Sequence, residues 1–137
     1  MLLSIDEDNR QPIYLQIVRQ IKEQILAGEL TAGDELPSVR ELGDALGISL
    51  HTARSAYQAL SEEGLLRVRL GKKARIADRP TDGGMADLTD EFSSRLRELV
   101  VDGLLQGSSP AELHARMDRE IEALEARDAR SSGKDAS

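Results

Sequence analysis

Between residues 12 and 27, PIYLQIVRQIKEQILA, isoleucine recurs every four positions, at Ile13, Ile17, Ile21 and Ile25, with Val18 and Leu26 beside them. That spacing predicts an amphipathic helix with one buried stripe. Pro12 suits the first helical position and Gly28 a left-handed stop. ELTAGDELP follows, with a Gly-Asp turn and a very short strand at Glu35-Leu36 that Pro37 ends. Ser38-Val39-Arg40-Glu41 has the form of a capping box, and a short helix over 39–46 turns Val39, Leu42 and Leu46 inward. Gly47 stops it, Ile48 fills the corner, and Ser49 caps a helix over about 50–63 that ends at Gly64. At about 100° per residue, Ala53, Ala56, Tyr57 and Leu60 share one side of this helix. His51, Arg54, Ser55, Gln58 and Glu62 share the other.

The period then changes. LLRVRL alternates, with Leu66, Val68 and Leu70 facing one way and Arg67 and Arg69 the other, as in a half-buried strand. Gly71-Lys72 is a turn, and Ala74 and Ile76 alternate with Lys73 and Arg75 on the return. The expectation is a hairpin with a basic outer face and tip. Residues 79–87, with Pro and paired Gly, read as a linker. Residues 88–105 place Leu88, Phe92, Leu96, Leu99, Val100 and Leu104 on one helical face. Ser109-Pro110-Ala111-Glu112 starts another helix, with a stripe of Leu113, Met117, Ile121 and Leu124. The tail, 129–137, reads as disordered.

The predicted fold is therefore mainly α with a small β-hairpin (α+β). A winged helix-turn-helix occupies 1–78 and a helical hairpin 88–128. Two helices cannot cover each other's stripes and make a stable core alone. A second copy completes a four-helix arrangement that buries Phe92, Leu96, Leu99, Val100, Leu113, Met117, Ile121 and Leu124. The alternative, in which this hairpin folds back on its own N-terminal domain, stays open.

Charge changes the picture by where it lies. The 137 residues carry a net charge of −7. Residues 49–79 carry seven basic and three acidic residues, a net of +4, whereas residues 81–137 have a net of −6. The two histidines, His51 and His114, are far apart, there is no cysteine, and no paired-ligand spacing predicts a metal or cofactor. No apolar run approaches a membrane span and the N-terminus lacks a signal-peptide pattern, so a cytoplasmic protein is expected. Carboxylates are plentiful but fall on exposed helix faces without a nucleophile–base pair, so no enzyme is expected.

In a winged helix-turn-helix the second helix of the pair enters the major groove and its N-terminal residues reach base edges. The helix start offers free amides and a positive dipole end to phosphates. Ser49 and Thr52 add hydroxyls there, and Arg54 adds a fork for phosphate or guanine. Lys72 and Lys73 on the wing would meet flanking backbone or the minor groove.

The run PIYLQIVRQIKEQILAGELTAGDELPSVRELGDALGISLHTARSAYQALSEEGLL resembles the N-terminal domain of the GntR family of bacterial transcription regulators. P-I-Y at a helix start, G-E-L-x-x-G-D-x-L-P-S-x-R-E-L, G-I-S-x-x-T-x-R-x-A-Y-x-x-L and E-G-L-L carry the likeness, over 12–77. The short helical C-terminal part is similar to the YtrA subfamily. The resemblance implies a dimeric repressor of a transporter-type operon, with a near-palindromic double-stranded operator as partner. It leaves open a small-molecule effector. By position it implies DNA contacts from Ser38, Arg40, Ser49, Leu50, His51, Thr52, Arg54, Gly71 and Lys72. Leu50 departs from the usual polar residue, and Gly-Lys-Lys departs from a Gly-x-Gly wing turn. Ser38 is also read as a cap, Tyr57 as core, and Arg40 and His51 have a plain solvent-facing alternative. The competing function is a winged-helix module for protein–protein contact, which has no need of the +4 window. A regulator cut from a fused enzyme is disfavoured by the complete, capped C-terminal hairpin.

Overall fold

The computed structural model describes the backbone of residues 1–69, 71–78 and 90–135, with side chains as far as 128. The linker expected over 79–87, and the inward positions expected for Leu70 and Leu88, lie outside the described residues. The chain divides into two compact units, Met1–Arg79 with Arg127–Ser137, and Pro80–Ala126.

In the first unit three helices, α1 (Ile13–Leu26), α2 (Val39–Leu46) and α3 (Leu50–Glu62), precede an antiparallel pair, β1 (Leu66–Arg67) and β2 (Arg75–Ile76). Both α1 and α2 pack on α3. Ile17 and Ile21 of α1, Leu36, and Leu60 of α3 are the largest fully buried side chains. Ala53 and Ala56 are fully buried as well, and their small size lets α3 lie close to its neighbours. Pro12 takes the cap position rather than the first turn, since its ψ of 146° is extended. Its carbonyl accepts from the amides of Leu15 and Gln16. Leu26, grouped with the stripe by sequence, is 45% exposed.

A ladder of glutamines fastens the N-terminal segment to α1. Gln16 bonds both the amide and the carbonyl of Asp6, Gln20 does the same with Ser4, and Gln24 donates to the carbonyl of Leu2. Four helical residues rise about 6 Å. Two extended residues span about 6.6 Å. The two repeats match, so one turn of α1 serves every second residue of the segment.

The hairpin is shorter than its alternation predicts. Among the described residues, pairing of β1 with β2 covers Leu66 with Ile76 and Arg67 with Arg75. Beyond Arg67 the chain leaves the ladder, alternation no longer applies, and Val68 is 59% exposed instead of facing inward. Residues 33–36 run along the other side of β2: Gly33 donates to Ile76, Leu36 to Ala74, and Ile76 to Asp34. Glu35 forms a bridge with Arg75, so the strand expected at Glu35-Leu36 is present as a single bridge.

The second unit contains α4 (Asp90–Leu105) and the larger part of α5 (Pro110–Asp135). Gly107, at φ 98°, makes the turn between them. Ser109 caps α5 by accepting from the amide of Glu112, whose carboxylate accepts in return from the Ser109 amide. A Cβ on Gly103 would come within 2.6 Å of the Leu113 side chain, so the helices meet there. Two sequence expectations need correction. The tail expected to be disordered over 129–137 is helical as far as Asp135, continuing a run, EALEARDAR, that is rich in the good helix formers Glu, Ala, Leu and Arg, and a late Gly133 costs only about 1 kcal/mol. Residues from Arg127 onward group with the first unit rather than with the helical hairpin, and Arg127 forms a two-pronged pair with Glu29 at 2.8 Å. That pair holds the guanidinium's pKa above its ordinary value.

Candidate nucleic-acid interface

The corner between α2 and α3 is built by local chemistry. The Ser38 hydroxyl accepts from the amide of Glu41 at 3.0 Å, satisfying one free donor of the first turn of α2. Gly47 adopts φ 66°, which turns the chain out of α2. A Cβ on Gly43 would stand 3.2 Å from the carbonyl oxygen of Ile48, so the corner lies directly against α2. The Ser49 hydroxyl accepts from the amide of Thr52 at 3.1 Å and lies 2.8 Å from the Thr52 hydroxyl. Tyr57 then ties α3 down: its buried hydroxyl donates to the carbonyl of Pro37 at 2.7 Å. Burial pushes the Tyr57 phenol well above its ordinary pKa, with the Glu41 charge adding to the shift.

What remains outward is the edge that the sequence singles out. Ser49, Leu50, His51 and Arg54 are exposed, Thr52 is half-buried, and Gln58 and Glu62 continue the same face with a bond of 3.4 Å between them. Ser38 is half-buried at the start of α2 and Arg40 is exposed within its first turn. Gly71, at φ 75°, shapes the wing tip and Lys72 stands exposed beside it. Ser38, Val39, Tyr57, Val68 and Lys72 border a cavity of about 290 Å³ between the wing and the helices.

Lys73 is placed differently from the free wing cation that the sequence suggests. Its ammonium lies 3.1 Å from Glu41 and 3.9 Å from Glu35, so it links the wing to α2. The Lys73 hydrogen bond holds the Glu41 carboxyl below its ordinary pKa, and Ser38 adds to that. This brace joins residues far apart in the chain, and alternation alone assigns Lys73 to the outer face with Arg75. Among the described residues, no cluster of three or more His, Cys, Asp or Glu could hold a metal, and no helix is long and apolar enough to cross a membrane.

The family model for bacterial regulatory proteins of the gntR family matches residues 13–76. The HTH-type transcriptional repressor YtrA of Bacillus subtilis is 31% identical over 113 residues, covering 82% of this chain and 87% of the relative. The chain belongs to the GntR family. The matched family and the relative YtrA are transcription regulators, and the family's members bind DNA. A solved structure of a transcriptional antiterminator from Listeria monocytogenes EGD-e superposes with a TM-score of 0.82 at 28% identity, covering 90% of this chain and 92% of that one. The DNA-binding domain of AraR, solved in complex with its operator, superposes with a TM-score of 0.51 at 27% identity, covering 56% of this GntR chain and 99% of that domain.

Proposed function

We propose that this GntR regulator is a dimeric repressor that docks the N-terminal edge of α3 in the major groove of a near-palindromic operator. The observation that carries the reading is the exposed edge from Ser49 to Arg54, capped at its start and flanked by the wing's Lys72. Arg54 is assigned to base or phosphate contact, Ser49, Leu50, His51 and Thr52 to the groove, and Ser38 and Arg40 to backbone. Gly71 and Lys72 are assigned to the wing contact, and Lys73 to bracing the wing. The operator complex of the AraR domain supports operator binding, and the repressor YtrA supports a repressor role. The subfamily likeness adds a transporter-type operon, a small effector that releases the protein, and a cytoplasmic setting where the duplex lies.

Dimerisation is assigned to the second unit. No residue of α4 is buried. Leu96, Leu99 and Val100 of α4 and Met117 and Ile121 of α5 are between 37% and 68% exposed, and Phe92 is 45% exposed. Leu113 and Leu124 are half-buried on the same stripe. Leaving so many large apolar groups in water is unfavourable by about 25 cal/mol for each Å², and a two-fold copy covers them while matching a palindromic site. Two linked reading heads bind at high effective concentration, which offsets the chain's net charge of −7. Leu99→Glu tests this in the full-length chain. Sedimentation should show a monomer, and operator affinity should fall at least tenfold with the circular dichroism of the first unit intact. A dimer of unchanged mass and affinity contradicts the assignment.

A further inference from the structure

The wing holds more positive charge than its tip contact uses. The strand register sets Arg67 directly opposite Arg75. Like charges directly opposite one another destabilise a strand pair. Arg75 is relieved at the surface, where its guanidinium donates to Glu35 and to the Gly33 carbonyl, both at 2.9 Å. Arg67 has only Asp78, 4.0 Å away, with the two side chains 63% and 79% exposed. The side chains of Arg69 and Lys72 have no partner among the described residues. Arg67, Arg69, Lys72 and Arg75 line one hollow of about 230 Å³ on the wing, with Asp78 as its carboxylate.

We propose that this hollow is a second phosphate-binding site of the wing, which takes the sugar–phosphate backbone of duplex DNA outside the stretch read by α3. The proposal rests on the DNA-docking reading above. The chemistry it recognises is the phosphate oxygen, and a planar guanidinium offers two parallel donors to such a group. Duplex backbone is favoured over a free phosphate ester for two reasons. Small-ligand pockets are lined mainly by apolar side chains, and here Ile76, 3% exposed, is the one large apolar residue at the wall among the described residues. Lys72 and Lys73 line both this hollow and the cavity facing α2 and α3, so a strand passing the wing tip meets the hollow next. The wing then contacts backbone on its outer face as well as at its tip.

The test uses the full-length chain and a random-sequence 30-base-pair duplex (about three helical turns), which needs no knowledge of the operator because such binding is governed by phosphate neutralisation. Each phosphate neutralised contributes about 0.9 to the slope of log K against log salt. Arg67→Ala and Arg69→Ala should each lower the slope by about 0.9, and the double variant by about 1.8. Arg67→Lys should restore most of the slope lost in Arg67→Ala. Thermal midpoints equal to the parent's show that the variants fold. In parallel, inorganic phosphate is titrated into the free protein while amide resonances are followed. Resonances of the wing that do not saturate below the millimolar range support the duplex as occupant. A double variant with the parent's slope overturns the proposal and leaves DNA binding through α3 standing. Saturation by phosphate below a millimolar, with the slope unchanged, also overturns it and assigns the hollow to a free phosphate ester. A parent that binds no duplex at low salt removes the docking reading and this proposal with it.

Discussion

Tyr57→Phe removes one oxygen from the joint that aims α3. The ring stays, so packing around this 4% exposed side chain is kept. What is lost is the 2.7 Å bond to the Pro37 carbonyl. That carbonyl belongs to the residue before the α2 cap. A typical intramolecular hydrogen bond contributes about 1 kcal/mol net, and a buried acceptor left bare costs about 1–3 kcal/mol. Pro37 is half-buried, so water reaches it in part, and the expected loss is about 1–2 kcal/mol. For a domain of this size that lowers Tm by on the order of 5–15 °C. Tyr14→Phe is the control, because the Tyr14 hydroxyl has no partner among the described residues, and its cost should stay within about 0.5 kcal/mol. Thermal unfolding of the two variants beside the parent measures both. Equal Tm values for Tyr57→Phe and the parent, or equal losses at the two tyrosines, refute the reasoning. The direction with pH follows too. Burial raises the folded Tyr57 pKa, so its contribution to stability is full below the ordinary value of 10.0 and is lost as pH rises through the folded value.

Gln16→Leu should cost about 2–3 kcal/mol in denaturant unfolding, since it removes three bonds to Asp6 and Gln11 from a buried side chain, with hydrogen exchange at the Asp6 amide rising. Lys72→Ala should lower the salt slope of DNA binding by about 0.9, whereas Lys73→Ala should leave the slope unchanged and weaken affinity through a loosened wing. The Lys73 bond depresses the folded Glu41 pKa, so this contribution to stability is present above the ordinary value of 4.5 and is lost as pH falls through the depressed one. Glu41→Gln should therefore flatten the acid limb of Tm against pH below 4.5.

The features legible in the sequence are those whose causes lie within one turn. Ser38 with Glu41, Ser49 with Thr52, Gly47 and the Ser109–Glu112 box all act over three or four residues, so composition and spacing reveal them. The four-residue recurrence of isoleucine in α1 likewise marks the buried side, as Ile17 and Ile21 show. What the sequence hides depends on partners brought in by the fold. Glu41 and Lys73 are 32 residues apart, Arg75 and Glu35 40 apart, and Gln24 and Leu2 22 apart. Alternation misplaces Val68 because pairing stops at Arg67, a limit set by the wing loop and not by hydropathy. The outward edge of α3 is legible because its opposite side, Ala53, Ala56, Tyr57 and Leu60, is buried throughout. Which of its exposed residues touch DNA is not a property of burial, and it enters through the family likeness.

The central claim is that the N-terminal edge of α3 reads bases in a two-fold site. Selection of bound duplexes from a random-sequence library, run on the parent and on Arg54→Ala, tests it most directly. The account predicts that the parent selects two inverted half-sites about one helical turn apart, roughly 34 Å. Arg54→Ala should lose the preference at one position in each half-site, with a cost of about 1–3 kcal/mol for the best sequence. A single unrepeated motif, or the same motif and affinity without Arg54, contradicts it.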